Sequence, residues 1–192
     1  MAAPEQPDAV LAVEAQNGNR QAFDQLVLRH KSQIYRIARH YVGNNDDALD
    51  VSQDTFVAAW LGLKRYDTAR DFGAWLRTIA LNKCRDFGRR QTVRRSVTRL
   101  FALLDIRDSA VPSADSVSEQ AQEETARLRA LEAAIAALPA PHKEALVLTT
   151  FAGLSHQQAA QQLGTSVKAV EMKVRRAKQR LEEILKAPAA GQ

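Results

Sequence analysis

Between Asp105 and Glu124 the chain carries six carboxylates against one arginine, and the rest is mostly alanine, serine, glutamine and valine. Such a stretch offers too little apolar surface to offset the entropy of ordering it. It reads as a flexible linker. The full change of character spans residues 92–124, beginning with Arg94, Arg95 and Arg99 and passing through "LFALLDI". That apolar segment fits either a docking element or a short helix packed on what precedes it. A chain of 192 residues is long enough for one medium domain or two small ones, and a linker at this place favours two.

On both sides of the linker apolar residues recur every three or four positions, strand-like alternation is nearly absent, and Gly, Pro, Asn and Ser punctuate the segments. Ala9 to Ala15 reads as a short helix ended by "QNGN", and Asn19 caps a second that runs through His30. "KSQIYRIARHYV" then sets Ile34, Ile37, Ala38 and Tyr41 on one face before Gly43. In "NDDALDVSQDTFVAAWLGL" the residues Leu49, Phe56, Trp60 and Leu63 fall at helical spacing. After "KRYDTAR", Phe72, Trp75, Leu76, Ile79 and Lys83 or Cys84 resume the rhythm and end near Arg90. Residues 1–91 therefore predict one helical bundle. Residues 125–186 predict four helices, "ARLRALEAAIAAL", "HKEALVLTTFAG", "SHQQAAQQL" and the segment after Gly164, with 187–192 as a tail. The expected fold class is all-α, two small helical domains joined by a flexible linker.

A net charge of +5 favours an anionic partner. No apolar run approaches the ~20 residues that span a bilayer, and "MAAPEQPDAV" lacks a basic region followed by an apolar one. A cytoplasmic protein without membrane insertion is expected. Cys84 is the single cysteine, which excludes an internal disulfide and disfavours a thiolate zinc site. His30, His40, His142 and His156 show no close ligand spacing. Neither metal nor cofactor is expected.

The strongest functional signal is "LSHQQAAQQLGTSVKAVEMKVRRAKQRL". Ser155 and Gln158 have the spacing of a capping box. Gly164-Thr165-Ser166 supplies a tight turn, with Ser166 as cap of the next helix. Beyond it Val167, Val170, Val174, Ala177, Leu181 and Ile184 form an inward stripe. Lys168, Glu171, Met172, Arg175, Arg176 and Gln179 occupy the opposite face. Glu171 pairing with Lys168 and Arg175 would suit an ordinary solvated helix. The adjacent arginines and a methionine on the polar side suit a helix lying in a DNA major groove.

Two further patterns concern the first domain. Asp46, Asp50 and Asp54 fall at i, i+4 and i+8, an acidic stripe whose self-repulsion a basic partner would relieve; a solvated face is the alternative. From Lys64 to Arg99 there are eleven basic residues against three acidic ones, a track that could neutralise phosphates. Tyr66 and Phe72 stand within or beside its loop, where aromatic faces can stack on unpaired bases. Phe72 reads as core, Tyr66 as either core or platform, and Trp60 and Trp75 as core.

The helix-turn-helix segment resembles the fourth conserved region of bacterial sigma factors. "DDALDVSQDTFVAAW" with "FGAWLRTIALNKCRDFGRR" is similar to their second region. Both in this order, with no third domain between, resemble the extracytoplasmic-function group of the sigma-70 family. Asp47, Ala48, Asp50, Gln53, Thr55 and Phe56 match its acidic clamp-binding helix, with Asp54 for the usual Glu, while Leu49 and Ser52 depart from it. Trp75, Leu76, Ile79, Ala80, Asn82, Asp86, Arg89 and Arg90 match the helix after the melting loop; Leu81 stands where a basic residue is frequent.

The resemblance implies a promoter-specificity factor, not an enzyme, with no catalytic residues. Its expected partners are core RNA polymerase, through clamp and flap, promoter DNA as duplex and as melted single strand, and an anti-sigma factor. Minus-thirty-five contacts are expected from Ser166, Lys168, Glu171, Met172, Lys173, Arg175 and Arg176. Minus-ten contacts are expected from Lys64, Arg65, Tyr66, Asn82, Arg85, Asp86, Arg89 and Arg90. Asp47, Asp50, Gln53 and Asp54 are expected to bind core polymerase. A helix-turn-helix regulator acting without polymerase would explain only the C-terminal half. A magnesium enzyme built on Asp46, Asp50 and Asp54 would lack both a complete ligand set and a base.

Overall fold

The computed structural model describes residues 6–103 and 119–186. Helix α1 (Asp8–Gln16) starts after Pro7. Helix α2 (Arg20–Val42) is capped by Asn19, which accepts from the Ala22 amide at 3.2 Å, and stops at Gly43 with φ 94°. Helix α3 (Asn45–Gly62) is capped by Asn44, which accepts from the Asp47 amide at 2.9 Å. A 3₁₀ turn over Leu63–Arg65 and a short loop lead to α4 (Phe72–Leu103). Gln16 Nε2 donates to the Leu63 and Tyr66 carbonyls at 2.9 and 2.7 Å, tying that loop to α1. Around α2 the side chains of Leu11, Leu26, Ile34, Ile37, Leu76 and Cys84 are buried completely. Each such Leu or Ile contributes about 1.5–3 kcal/mol of transfer free energy.

Three expectations change here. The segment from Arg20 to Val42 is one continuous helix. Helix α3 buries Ala48, Val51, Ser52, Thr55 and Ala59, not the larger Leu49, Phe56 and Trp60. Small side chains let α3 approach its neighbours closely, and the Ser52 and Thr55 hydroxyls donate to the Ala48 and Val51 carbonyls, both at 2.7 Å. Trp60, expected in the core, is 37% exposed and meets Phe23 edge-on. Finally, α4 does not end near Arg90 but continues to Leu103, and α5 (Glu119–Ala137) begins inside the stretch read as linker. Of "LFALLDI", residues 100–103 belong to α4; Leu104, Asp105 and Ile106 lie outside the described residues.

The second domain continues with α6 (Ala140–Leu146), which turns at its end into a π turn over Val147–Phe151. There the Ala152 amide donates to the Val147 carbonyl and the Leu154 amide to the Leu148 carbonyl. Helices α7 (His156–Leu163) and α8 (Val167–Lys186) complete it. The fold is all-α, two helical domains on either side of a linker, with no strand among the described residues. The domains are also packed together, and their apolar residues form one continuous core.

Candidate nucleic-acid interface

The helix-turn-helix is built by caps. Ser155 Oγ accepts from the Gln158 amide at 3.2 Å and Gln158 Oε1 accepts from the Ser155 amide at 2.9 Å, so both halves of the capping box form. Gly164 ends α7 in the left-handed region, φ 61°. Ser166 Oγ accepts from the Ala169 amide at 3.2 Å and starts α8. Val170, Val174 and Ala177 turn inward as expected, with Leu181 and Ile184 half-buried. Val167, expected on that stripe, is exposed at the first position of α8.

Ser166, Lys168, Glu171, Arg175 and Arg176 are exposed, and Met172 and Lys173 half-buried. The i, i+3 and i+4 pairs open to Glu171 do not form. Its carboxylate lies 3.8 Å from His156 Nδ1, across the turn, and Arg175 Nη2 donates to Met172 Sδ at 3.3 Å. Lys168, Lys173 and Arg176 make no ion pair among the described residues. The outward face of α8 thus presents cations not neutralised by the protein, as a phosphate-facing surface requires.

In the first domain Asp46, Asp50, Gln53 and Asp54 are exposed and Asp47 is half-buried. A cleft of about 350 Å³ brings Asp47, Asp50, Gln53 and Asp54 of α3 together with Lys83, Asp86 and Arg90 of α4. Residues expected to hold polymerase and residues expected to touch DNA therefore share one groove. On the other side of α3, Val27 and Tyr35 join Leu49 and Phe56 around an apolar groove of about 380 Å³.

The residues expected at the minus-ten element do not form one cluster. Lys64 and Arg65 are exposed before α4, while Arg85, Asp86, Arg89 and Arg90 lie towards its middle. At 1.5 Å per residue, Phe72 and Arg90 are about 27 Å apart along α4. Asn82 Oδ1 accepts from Arg85 Nη1 at 2.8 Å, and Asp86 pairs with Arg89 at 3.1 Å. Tyr66 is corrected: at 5% exposure it is no stacking platform. Its ring packs against Phe72 and Trp75, its hydroxyl donates to the Arg70 carbonyl, and burial, before the nearby Asp71 and Asp67, pushes its pKa up. Phe72 is buried as expected and Trp75 partly so.

Sequence reasoning missed the partners of Arg85 and Arg77. Arg85 Nε and Nη2 donate to the two Glu144 carboxylate oxygens of α6, each at 2.7 Å. This bond, more than the opposing burial, raises the Arg85 pKa. Arg77 donates to Gln162 of α7 and to Gln33 of α2, at 3.2 and 3.3 Å, and burial lowers its pKa against the pull of Asp71. No group of three or more His, Cys, Asp or Glu that could hold a metal occurs among the described residues, and no helix there is long and apolar enough to cross a membrane.

Residues 26–94 match sigma-70 region 2 and residues 128–181 match sigma-70 region 4. The chain is 39% identical to the RNA polymerase sigma factor CnrH of Cupriavidus metallidurans, over 96% of this chain and 97% of that one. It is 32% identical to the ECF RNA polymerase sigma factor SigE of Mycolicibacterium smegmatis, over 85% of this chain and 62% of that one. The fold is similar to CnrH solved in complex with the cytosolic domain of CnrY, at TM-score 0.65 and 37% identity, covering 95% of this chain and 99% of that one. It is also similar to the sigma factor RpoE of Bartonella quintana in complex with the anti-sigma factor NepR, at TM-score 0.59 and 27% identity, covering 86% and 97%. The chain belongs to the extracytoplasmic-function group of the sigma-70 family and is a DNA-binding transcription initiation sigma factor.

Proposed function

We propose that this chain binds core RNA polymerase through the acidic face of α3, directs it to particular promoters, and has no catalytic chemistry of its own. The observation that carries the reading is the outward face of α8. A capped, glycine-terminated turn delivers Lys168, Arg175 and Arg176 to solvent as cations without acidic partners among the described residues. Ser166, Lys168, Met172, Lys173, Arg175 and Arg176 contact the minus-thirty-five duplex, and Glu171 reads a base edge, since a carboxylate can accept from cytosine N4 but repels phosphate. Lys64, Arg65, Asn82, Arg85, Asp86, Arg89 and Arg90 line the path of the opened minus-ten strand. Asp47, Asp50, Gln53 and Asp54 meet the polymerase clamp, and residues 125–186 meet the flap. The functional units are 1–91 and 125–186, joined by 92–124, with 187–192 as a tail.

Linking two modest DNA sites and a polymerase site on one chain raises the overall affinity without further contacts. Two similar sigma factors have been solved with a bound partner, CnrY for one and the anti-sigma factor NepR for the other. An anti-sigma factor covering the polymerase-binding faces is the corresponding control here, in a cytoplasmic setting. The test is reconstitution of core polymerase with this protein on genomic promoter fragments. A heparin-resistant open complex at a defined subset is expected; none on any fragment would refute the reading.

A further inference from the structure

His156 opens α7, Glu171 lies one turn into α8, and the two side chains face each other across the helix-turn-helix, His156 Nδ1 3.8 Å from Glu171 Oε1. Local structure explains the direction Glu171 takes. The Ser155–Gln158 capping box fixes the start of α7, and Gly164 and Ser166 set where α8 begins. Arg175, the cation one turn further along α8, is engaged by Met172 Sδ at 3.3 Å instead. The His156–Glu171 contact does little for stability. Both side chains remain open to water, at 45% and 56% exposure, and solvent screens pairs of this kind to a small contribution. At 3.8 Å the two atoms also stand beyond hydrogen-bond reach. Folding does not need this pair.

We propose that His156 is a positioning residue for base reading: from the start of α7 it holds one oxygen of Glu171 and leaves the other to accept from a cytosine N4. The inference rests on reading α8 as the helix that enters the major groove and Glu171 as its reader. Cytosine N4 keeps one hydrogen for its guanine and offers the other to the groove. A carboxylate has two oxygens, so Glu171 can serve His156 and a cytosine at once. Alone among phosphates that carboxylate would be repelled, and once the groove excluded water it would lack a counter-charge. The imidazole answers both needs. Its Nδ1 donates to Glu171, while Nε2, on the opposite edge of the ring, is left for solvent or for the backbone that the first helix of such a motif crosses. Lys168 and Arg175, both exposed, stay available for phosphate because neither holds Glu171. The base preference at this position then belongs to the pair and not to Glu171 alone.

The experiment reconstitutes holoenzyme from core polymerase and the full chain, and selects bound duplexes from a library randomised across the minus-thirty-five element. Sequencing the bound fraction gives the preference at every position for the unaltered chain and for His156→Ala, His156→Gln, Glu171→Ala and the double variant. Glu171→Ala should erase a cytosine preference at one position. His156→Ala should weaken that same preference by about fivefold, the lower end of what a base contact supplies, and leave the other positions as they were. His156→Gln, whose amide can donate to the carboxylate, should restore most of it. In the Glu171→Ala background His156→Ala should change nothing more at that position, as coupled residues behave. An even loss of preference at every position, or an effect of His156→Ala that persists without Glu171, would assign His156 to the fold or to phosphate and overturn the proposal. A cytosine preference that is lost with Glu171 but untouched by His156→Ala would overturn it too, while leaving Glu171 its reading role. Unchanged preferences in Glu171→Ala would refute that reading role itself, and the pairing with it.

Discussion

Arg85 and Glu144 stand 59 positions apart and meet through two nitrogen–oxygen contacts of 2.7 Å, the forked geometry in which a guanidinium and a carboxylate bind most specifically. Glu144 is buried, whereas the Arg85 side chain keeps 36% of its surface in solvent. Removing the arginine therefore leaves a buried carboxylate without its counter-charge. A fully buried pair broken in this way costs 3–5 kcal/mol as a rough range. Exposure of Arg85 reduces that, and Arg85→Ala is expected to lower unfolding free energy by about 2 kcal/mol. Arg85→Lys should recover only part, since an ammonium cannot match both oxygens. Denaturant titration of the two variants checks the order.

On α8 the prediction concerns kind of loss rather than amount. Arg176→Ala should weaken binding to every minus-thirty-five variant to a similar extent and reduce the slope of log K against log salt by about 1, as loss of a phosphate contact does. Glu171→Lys should change which sequence is preferred. Its carboxylate lies 3.8 Å from His156 and not on Lys168 or Arg175, so it remains exposed to a base edge. Anisotropy titrations against a panel of single-base variants separate the two. An equal loss across the panel for Glu171→Lys would remove it from base reading.

Much of this was legible in sequence because the signals were local. Ser155, Gln158, Gly164 and Ser166 lie within a dozen positions, and each acts on backbone groups of its own segment, so type and spacing alone locate the turn. The orientation of α3 was not legible in this way. Periodicity followed the largest apolar residues, Leu49, Phe56 and Trp60, whereas close helix packing selected Ala48, Ser52, Thr55 and Ala59. The seam between domains left no trace at all. Gln33–Ala152, Arg77–Gln162 and Arg39–Glu132 join residues 119, 85 and 93 positions apart, and polar partners at such separations have no period. The minus-ten set was half legible: its basic character was visible, but the burial of Tyr66 depended on a ring cluster formed by the loop's own fold.

The turn itself can be tested at Gly164. Its φ of 61° is left-handed, and a Cβ built there would meet nothing within 4 Å. The cost of a side chain is therefore conformational rather than steric, about 1–2 kcal/mol for alanine. Asparagine tolerates this region better and should lose less. Thermal unfolding should order the variants glycine, asparagine, alanine, and duplex binding should fall in the same order as α8 loses its angle to α7.

The last prediction is a pH dependence of the seam. His40 is stacked on Phe151; burial first, then Arg39 and Arg36, lower its pKa, and Glu132 opposes them only in part. A histidine depressed in the packed state is favoured there as the neutral ring. Its contribution is therefore fully present above the unpacked value near pH 6.5 and is lost as pH falls below it, because the open state then takes up the proton more readily. The partly exposed site limits the effect to a fraction of the docking free energy. Small-angle scattering of the full chain should show expansion between about pH 7.5 and pH 5.5. Asp8, the other group with a cited downward shift near this range, acts lower. Burial raises it, hydrogen bonds from Arg29 and His30 outweigh that, and its contribution is lost only below its usual 3.8. His40→Phe keeps the stacked ring without a titratable nitrogen and should abolish the transition between pH 7.5 and 5.5; persistence of the same expansion in that variant would assign it to other groups.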